Sequence, residues 1–415
     1  MTNTLKQRLI TTFFLLVIIR LGIFLPIPGI DHDAFYNTVK SNQIIGFLNI
    51  FSGGGFSTIG VFAFGIVPYI NASIIMQILV KILPNLKKIQ EEEGEAGRQK
   101  INQITRLLAC IWAIMQGIFV SFWIRPYAFD WNLSFIIATT IGLTTGAMLE
   151  LWFAEIISEF GIGNGVSILI FFNIIANIPK DILVKWIQTT SFDLQTIKTL
   201  LIISVIFLLM LVISVLLQES MKKITIISAK QLTEFGNSQD INIYSYIPLK
   251  LYQGGIIPII FASAIISIPG YLMQVNQIGI LNNIISTVMP NGIFFLPLYY
   301  FLILSFSFLY ASLILNPEDI SKNLNKTGSS IIGIKPGKAT INYLQTILNR
   351  LTFLGSLLLF FIAIMPIVIS NLNIDILKTV SPTSILILVG VAIQTTKQIQ
   401  TYILSKEFEE LSQDK

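Results

Sequence analysis

FSGGGFSTIGVFAFGIVPYINASIIMQ, residues 51–77, decides how this chain is read. Its first part, Phe51 to Thr58, holds three consecutive glycines, Gly53, Gly54 and Gly55. Each glycine costs a helix roughly 1 kcal/mol relative to alanine and leaves the backbone free to bend. Pro68 then keeps an ordinary helix from running straight through, because it lacks an N–H and crowds the preceding turn. From Ala63 to Leu83 the chain is apolar enough to cross a bilayer, yet it carries Asn71, Ser73 and Gln77. Irregular backbone at membrane depth survives only where protein or a water-filled cavity surrounds it. The stretch therefore marks a pathway or a moving part. A flexible external loop ahead of an ordinary helix is the simpler alternative, and the pattern alone leaves both open.

Composition sets the class. The chain is 53% hydrophobic and 12% charged, with mean hydropathy +0.76, which makes it an integral membrane protein. One cysteine, Cys110, lies in an apolar run, so disulfides and thiol metal sites are not expected; one histidine, His32, argues against a His-based metal or catalytic centre. Met1 to Arg8 is too short for a transit peptide, and the apolar run after it reads as a spanning helix without a cleavage site. The bias toward Ile, Asn and Lys fits an AT-rich genome.

Ten spans are expected, at about 9–25, 63–83, 104–124, 133–155, 163–179, 195–218, 252–274, 291–315, 345–369 and 382–405, each near the roughly 20 residues a bilayer needs. The resulting fold class is an all-α membrane protein with ten transmembrane helices. Helix counting divides it into two inverted five-helix halves, 1–180 and 181–415, with the pathway at their interface. Of the 27 Lys and Arg, nineteen fall on the side of the N-terminus and six on the other, with Arg20 and Lys81 in or beside spans. The positive-inside rule then puts both termini in the cytoplasm or stroma.

Two loops on that side are too long to be simple connectors. Residues 219–250 hold β-branched runs bounded by turn formers and predict a protruding hairpin. Residues 316–343 combine an acidic start, four lysines and the turn Lys335-Pro336-Gly337. Basic loops suit an RNA-rich or acidic partner, although the positive-inside rule alone accounts for part of the charge.

LPIPGID (25–31), NIFSGGGFS (49–57), FGIVPYINASIIMQ (64–77), EGEAGRQKINQITR (93–106) and GIGNGVSILIF (161–171) resemble successive signatures of the SecY family. GIIPIIFAS (255–263), NPEDISKNLNKTG (316–328), GIKPGKAT (333–340) and RLTFLGS (350–356) continue the resemblance in order, over nearly the whole chain. It implies the channel subunit of the Sec translocon, which passes unfolded preproteins across a membrane or releases apolar segments sideways into lipid around a central pore. The family's plug carries over to Asn49, Phe51, Ser52, Gly53, Gly54, Gly55, Phe56 and Ser57. Its pore ring carries over to Ile66, Ile70, Val166, Ile170, Ile260 and Ile387. An apolar constriction of this kind resists ions by dewetting and still deforms around a peptide. The family's lateral gate runs between helices 2 and 3 and helices 7 and 8, where Asn71, Ser73, Gln77 and Gln116 offer polar contacts. Lys222, Lys223, Lys335 and Lys338 are the expected ribosome or motor contacts.

Three positions depart from the family pattern: Lys335 stands where arginine is usual, Phe160 replaces the arginine before GIGNG, and Glu150 falls on a site expected to be apolar near the cytoplasmic end of helix 4. No P-loop is present, so the driving energy is expected from a ribosome or a SecA-type ATPase, with SecE-type and SecG-type small subunits as further partners. No catalytic residue, cofactor or metal is expected. A plastid-encoded form in the thylakoid membrane is the favoured location, with a bacterial plasma membrane as the alternative. A secondary transporter with inverted repeats is the competing function, but its spans should carry paired ionisable residues, and Arg20, Lys81 and Glu150 do not pair obviously. An intramembrane protease would need an acid pair, or Ser with His, at helix depth.

Overall fold

A computed structural model describes residues 5–39, 52–188, 194–228, 245–255, 258–259, 261–262, 265, 292, 294–371 and 382–413. In chain order its helices are α1 (Leu5–Ile23), α2 (His32–Val39), α3 (Gly55–Thr58), α4 (Val67–Ile82), α5 (Pro84–Glu92), α6 (Gly94–Trp123), α7 (Leu133–Phe160), α8 (Gly165–Gln188) and α9 (Leu194–Glu219). Strands β1 (Met221–Ser228) and β2 (Ser245–Lys250) follow, then α10 (Phe295–Ile314), α11 (Pro317–Lys326), β3 (Ser329–Ile331), α12 (Lys338–Asn371) and α13 (Pro382–Gln413). Helices meet nine of the ten expected spans among the described residues; the seventh, 252–274, lies largely outside them. Four stretches, within Gly94–Trp123, Leu133–Phe160, Phe295–Lys326 and Lys338–Met365, are each long and apolar enough to cross a membrane.

The chain forms two compact units, Met1–Phe192 with Thr379–Lys415, and Asp193–Lys378. The expected halves, 1–180 and 181–415, place the last helix with the second half. In the structure α13 packs on α8 of the first unit, where Gly163 abuts Thr395.

In the first unit, α4 begins at Val67 rather than at Ala63, because residues 61–66 form turns. Pro68 falls in the first helical turn, where a missing N–H leaves no bond unmade. Leu83, ahead of Pro84, is extended with ψ 112°, as the proline ring requires of its predecessor, and the chain bends there by 103° into α5. α6 packs against α4 and α7. Arg106 of α6 meets Glu155 of α7 at 2.6 Å. α7 runs on to Phe160, so Glu150 lies about 15 Å from its end at 1.5 Å per residue. This corrects the expected place of Glu150 near the helix end. Glu150 is wholly buried, and neither carboxylate oxygen has a hydrogen-bond partner among the described residues.

The turn after α7 is pinned on both sides. The Gly165 N–H donates to the Ser158 hydroxyl oxygen at 2.8 Å, and the Ile162 N–H donates to the Thr12 hydroxyl oxygen at 3.1 Å. Gly165 sits so close to the Ala154 carbonyl that no Cβ fits. Beside this turn, a cavity of about 230 Å³ opens between Leu5 and Arg8 of α1 and Gln398 and Tyr402 of α13.

In the second unit a three-stranded antiparallel sheet, ordered β2-β1-β3, packs on α11 and the first turns of α12. Ile224 pairs with Ile247, and Ile226 with Ile331. The sheet core gathers Ile224, Leu249, Leu324, Ile331, Leu344 and Leu348, each contributing about 1.5–3 kcal/mol by burial. The hairpin expected in 219–250 is present. Its third strand comes from the other long loop.

Candidate functional site: the glycine-rich segment and its surroundings

The first unit is built around Ser52–Ser57. Gly53 and Gly54 adopt positive φ of 63° and 92°, which glycine takes at little cost, and they turn the chain into the single-turn helix α3. The Ser52 hydroxyl oxygen accepts the Phe56 N–H at 3.0 Å, and Ser52 itself is 1% exposed. Phe56 is buried against Trp123, with ring centroids 6.0 Å apart, and Phe35 meets the same indole edge-on at 5.4 Å. Arg20 of α1 donates to the Gly53 carbonyl at 2.7 Å, and the Gly53 backbone lies against the Asn173 amide of α8. Gly53 and Gly55 are buried, and hydrogen bonds at the Gly53 carbonyl and the Phe56 N–H hold the run in place. Asn49 and Phe51 lie outside the described residues.

Residues 25–31 clamp the far end. The Ile27 N–H donates to the Ile59 carbonyl at 3.1 Å, and the Val61 N–H to the Leu25 carbonyl at 2.8 Å. The Asp31 N–H donates to the Tyr127 carbonyl at 2.8 Å. Ile27, Ile30, Phe35, Phe56, Ile59 and Phe64 join Ala113, Val120, Leu143 and Ala147 of α6 and α7 in one apolar core. Proximity of 25–31 to 58–61 was not expected from sequence, since short backbone bridges leave no periodic signal.

Ile66 caps α4 and is 1% exposed, so it precedes the helix instead of sharing a helical face with Ile70. The two remain one turn apart, because the Ile70 N–H donates to the Ile66 carbonyl at 3.1 Å. Val166 and Ile170 lie on α8 and Ile387 on α13, two helices packed together; Ile170 and Ile387 are buried, while Ile70 and Val166 are half-buried. Ile260 lies outside the described residues.

Asn71 and Ser73 are half-buried on α4, and the exposed Gln77 amide lies 3.5 Å from the Ser73 hydroxyl. Gln116, on the adjoining α6, has a buried Oε1 without a partner among the described residues. In the second unit Lys222, Lys223, Lys335 and Lys338 are all exposed, and the Lys223 ammonium stands 4.9 Å from the Tyr246 ring. Lys335 and Lys338 flank a turn in which Gly337 has φ 99°. Among the described residues no group of three His, Cys, Asp or Glu could hold a metal.

A chain with several helices each long and apolar enough to cross a membrane, and a glycine-rich turn buried beside them, is a multi-pass membrane protein. The SecY family model matches residues 60–396. The chain is 53% identical over 411 residues to the protein translocase subunit SecY of Pyropia yezoensis, covering 99% of both chains. It is 46% identical over 415 residues to that of Synechocystis sp., covering 98% of this chain and 93% of the other. A solved SecY structure, in which the plug domain stabilises the closed state of the translocation channel and maintains a membrane seal, has the same fold with TM-score 0.59 at 17% identity, covering 97% of this chain and 93% of that one. The chain belongs to the SecY family. It is a protein-conducting channel, and its family is one of translocation channels rather than enzymes.

Proposed function

We propose that Ser52–Ser57, with the flanking Asn49 and Phe51, is the plug that seals this channel at rest. The observation that carries the reading is the bond from Arg20 to the Gly53 carbonyl, which holds a glycine-built turn inside the helical unit by its backbone. Ile66, Ile70, Val166, Ile170, Ile260 and Ile387 form the apolar constriction beside it, closing to ions by dewetting. The α4–α6 seam, with Asn71, Ser73, Gln77 and Gln116, is one side of the lateral gate. A segment in the opened seam partitions by its own hydrophobicity, Leu-like residues contributing roughly −0.3 to −0.6 kcal/mol each and charges opposing by about 3.

The sheet and the turn at Lys335–Lys338 form the docking platform for a ribosome or a SecA-type ATPase. SecE-type and SecG-type subunits complete the complex, and the thylakoid membrane is the proposed location, with the termini on the stromal side. The similarity to Pyropia yezoensis and Synechocystis proteins supports that location. Reconstitution tests the assignment: vesicles bearing the chain and its co-purifying subunits should take up a signal-bearing preprotein when a SecA-type ATPase and ATP are supplied. Uptake that is unchanged when Gly53–Ser57 is cross-linked to α8 would overturn the plug role.

A further inference from the structure

The chain's single histidine lies against the far end of the same segment. His32 Nδ1 is 2.9 Å from the Thr58 carbonyl oxygen, at the end of α3, and Nε2 is 3.0 Å from the Ile27 carbonyl oxygen. A carbonyl oxygen only accepts, so each contact is a hydrogen bond only when the facing nitrogen carries a proton. Neutral imidazole has one N–H and one lone pair; imidazolium has two N–H groups. A neutral ring therefore bonds one carbonyl and turns a lone pair toward the other. The charged ring bonds both.

The bridge spans a junction that has to part if the segment moves. Ile27 belongs to the external strand-like stretch whose N–H holds Ile59, and Ile59 turns the chain with φ 43°, a conformation disfavoured for a β-branched residue. On its own segment His32 is flanked by Asp31 and Asp33, and Asp31 Oδ1 already accepts the Ala34 N–H at 3.1 Å. Among the elements packed on α2, α3 carries no titratable side chain, and the turn Arg125–Tyr127 carries Arg125, which lies over the Trp131 ring, and Tyr127, which is edge-on to Phe35. Arg20 holds the opposite end of the segment at Gly53.

We propose that His32 is a protonation-dependent latch on the plug: the doubly protonated ring fastens the Thr58 end to the external segment at Ile27, and loss of one proton undoes one of the two bonds. The inference rests on the plug reading above. The charged ring makes both bonds and the neutral ring one, so docking is expected to be tighter in acidic than in basic solution.

The test measures resting ion flux from vesicles holding the untagged full-length chain with its co-purifying subunits, at symmetrical pH of about 6 and about 8, which bracket the charge change of an ordinary imidazole. The parent should leak roughly two- to tenfold more at the higher pH, the effect of one hydrogen bond on a docking equilibrium. His32→Gln, with a single amide donor group, should leak at the parent's higher level at both values. Should that variant not accumulate, carbethoxylation of the chain's one histidine in the assembled parent should give the same loss of pH response. A parent leak indifferent to pH, or a glutamine variant or modified protein that keeps the parent's ratio, overturns the latch. Deletion of Gly53–Ser57 separates the two ideas: high leak at both pH values upholds the plug, whereas a leak no greater than the parent's removes the plug reading itself.

Discussion

The Arg20 guanidinium donates through Nη1 to the Gly53 carbonyl at 2.7 Å while its carbon stands 5.1 Å over the Phe24 ring. A long cation inside an apolar helix is thus occupied by backbone of the glycine-rich turn. A hydrogen bond to a charged group contributes about 1.5–3 kcal/mol, enough to shift the docking equilibrium roughly tenfold or more. Arg20→Ala should raise single-channel opening frequency at rest in planar bilayers. Arg20→Lys, which keeps the charge but loses the fork, should lie between it and the parent.

Deleting Gly53–Ser57 should leave a membrane-integrated protein with raised ion leakage. Because Phe56 is buried against Trp123, the deletion should also cost stability, on the order of the 3–5 kcal/mol typical of losing a buried Phe. Thermal unfolding in detergent reads the stability and vesicle flux reads the seal. Failure to insert would mean that the segment is core and not plug.

Ile66 and Ile387 are 1% and 3% exposed in the first unit, so neither faces lipid. Replacing them and Ile170 with Asn should wet the constriction and raise resting conductance, since a dewetting barrier depends on apolar lining. Leu or Met at the same positions should be nearly silent. Equal conductance in the Asn and Leu sets would sink the ring.

Lys335 and Lys338 are exposed and sit outside the sheet core, so reversing both to Glu should leave the fold intact. Binding of a SecA-type ATPase or ribosome should weaken most at low salt, where a Debye length of about 10 Å or more lets charge act at a distance. Sedimentation of binding partner with vesicles across a salt series measures this. Identical binding at every salt concentration would assign these lysines to topology alone.

Gly165→Ala should destabilise the first unit by roughly 1–3 kcal/mol, because the added methyl meets the Ala154 carbonyl at the start of α8. Limited proteolysis or thermal unfolding should register the loss, and Ser158→Ala should add to it by removing the acceptor of the Gly165 N–H.

Hydropathy made the spans legible, because a bilayer imposes a length and a composition on each of them. Helix ends were less legible: α7 runs to Phe160 and α12 starts at Lys338, since helices continue into water where hydropathy gives no signal. The bend at the glycine-rich turn was legible in Gly53, Gly54 and Gly55, two of which take positive φ. Its anchors were not, because Arg20 and His32 act on carbonyl oxygens that every residue possesses. The β1–β2 hairpin was readable from β-branched runs bounded by turn formers, whereas the pairing of Ile226 with Ile331 depends on closure across about a hundred residues.

That closure also orders events during synthesis. A two-stranded ribbon is marginal on its own in water, and three strands on a helix are needed for independent stability. Here the third strand, Ser329–Ile331, is translated only after about four-fifths of the 415 residues, and its supporting helix Lys338–Asn371 later still. A nascent copy therefore cannot hold the assembled three-stranded sheet while its early helices are being made. A chain interrupted before Ile331 is left with a marginal two-stranded ribbon in place of the sheet.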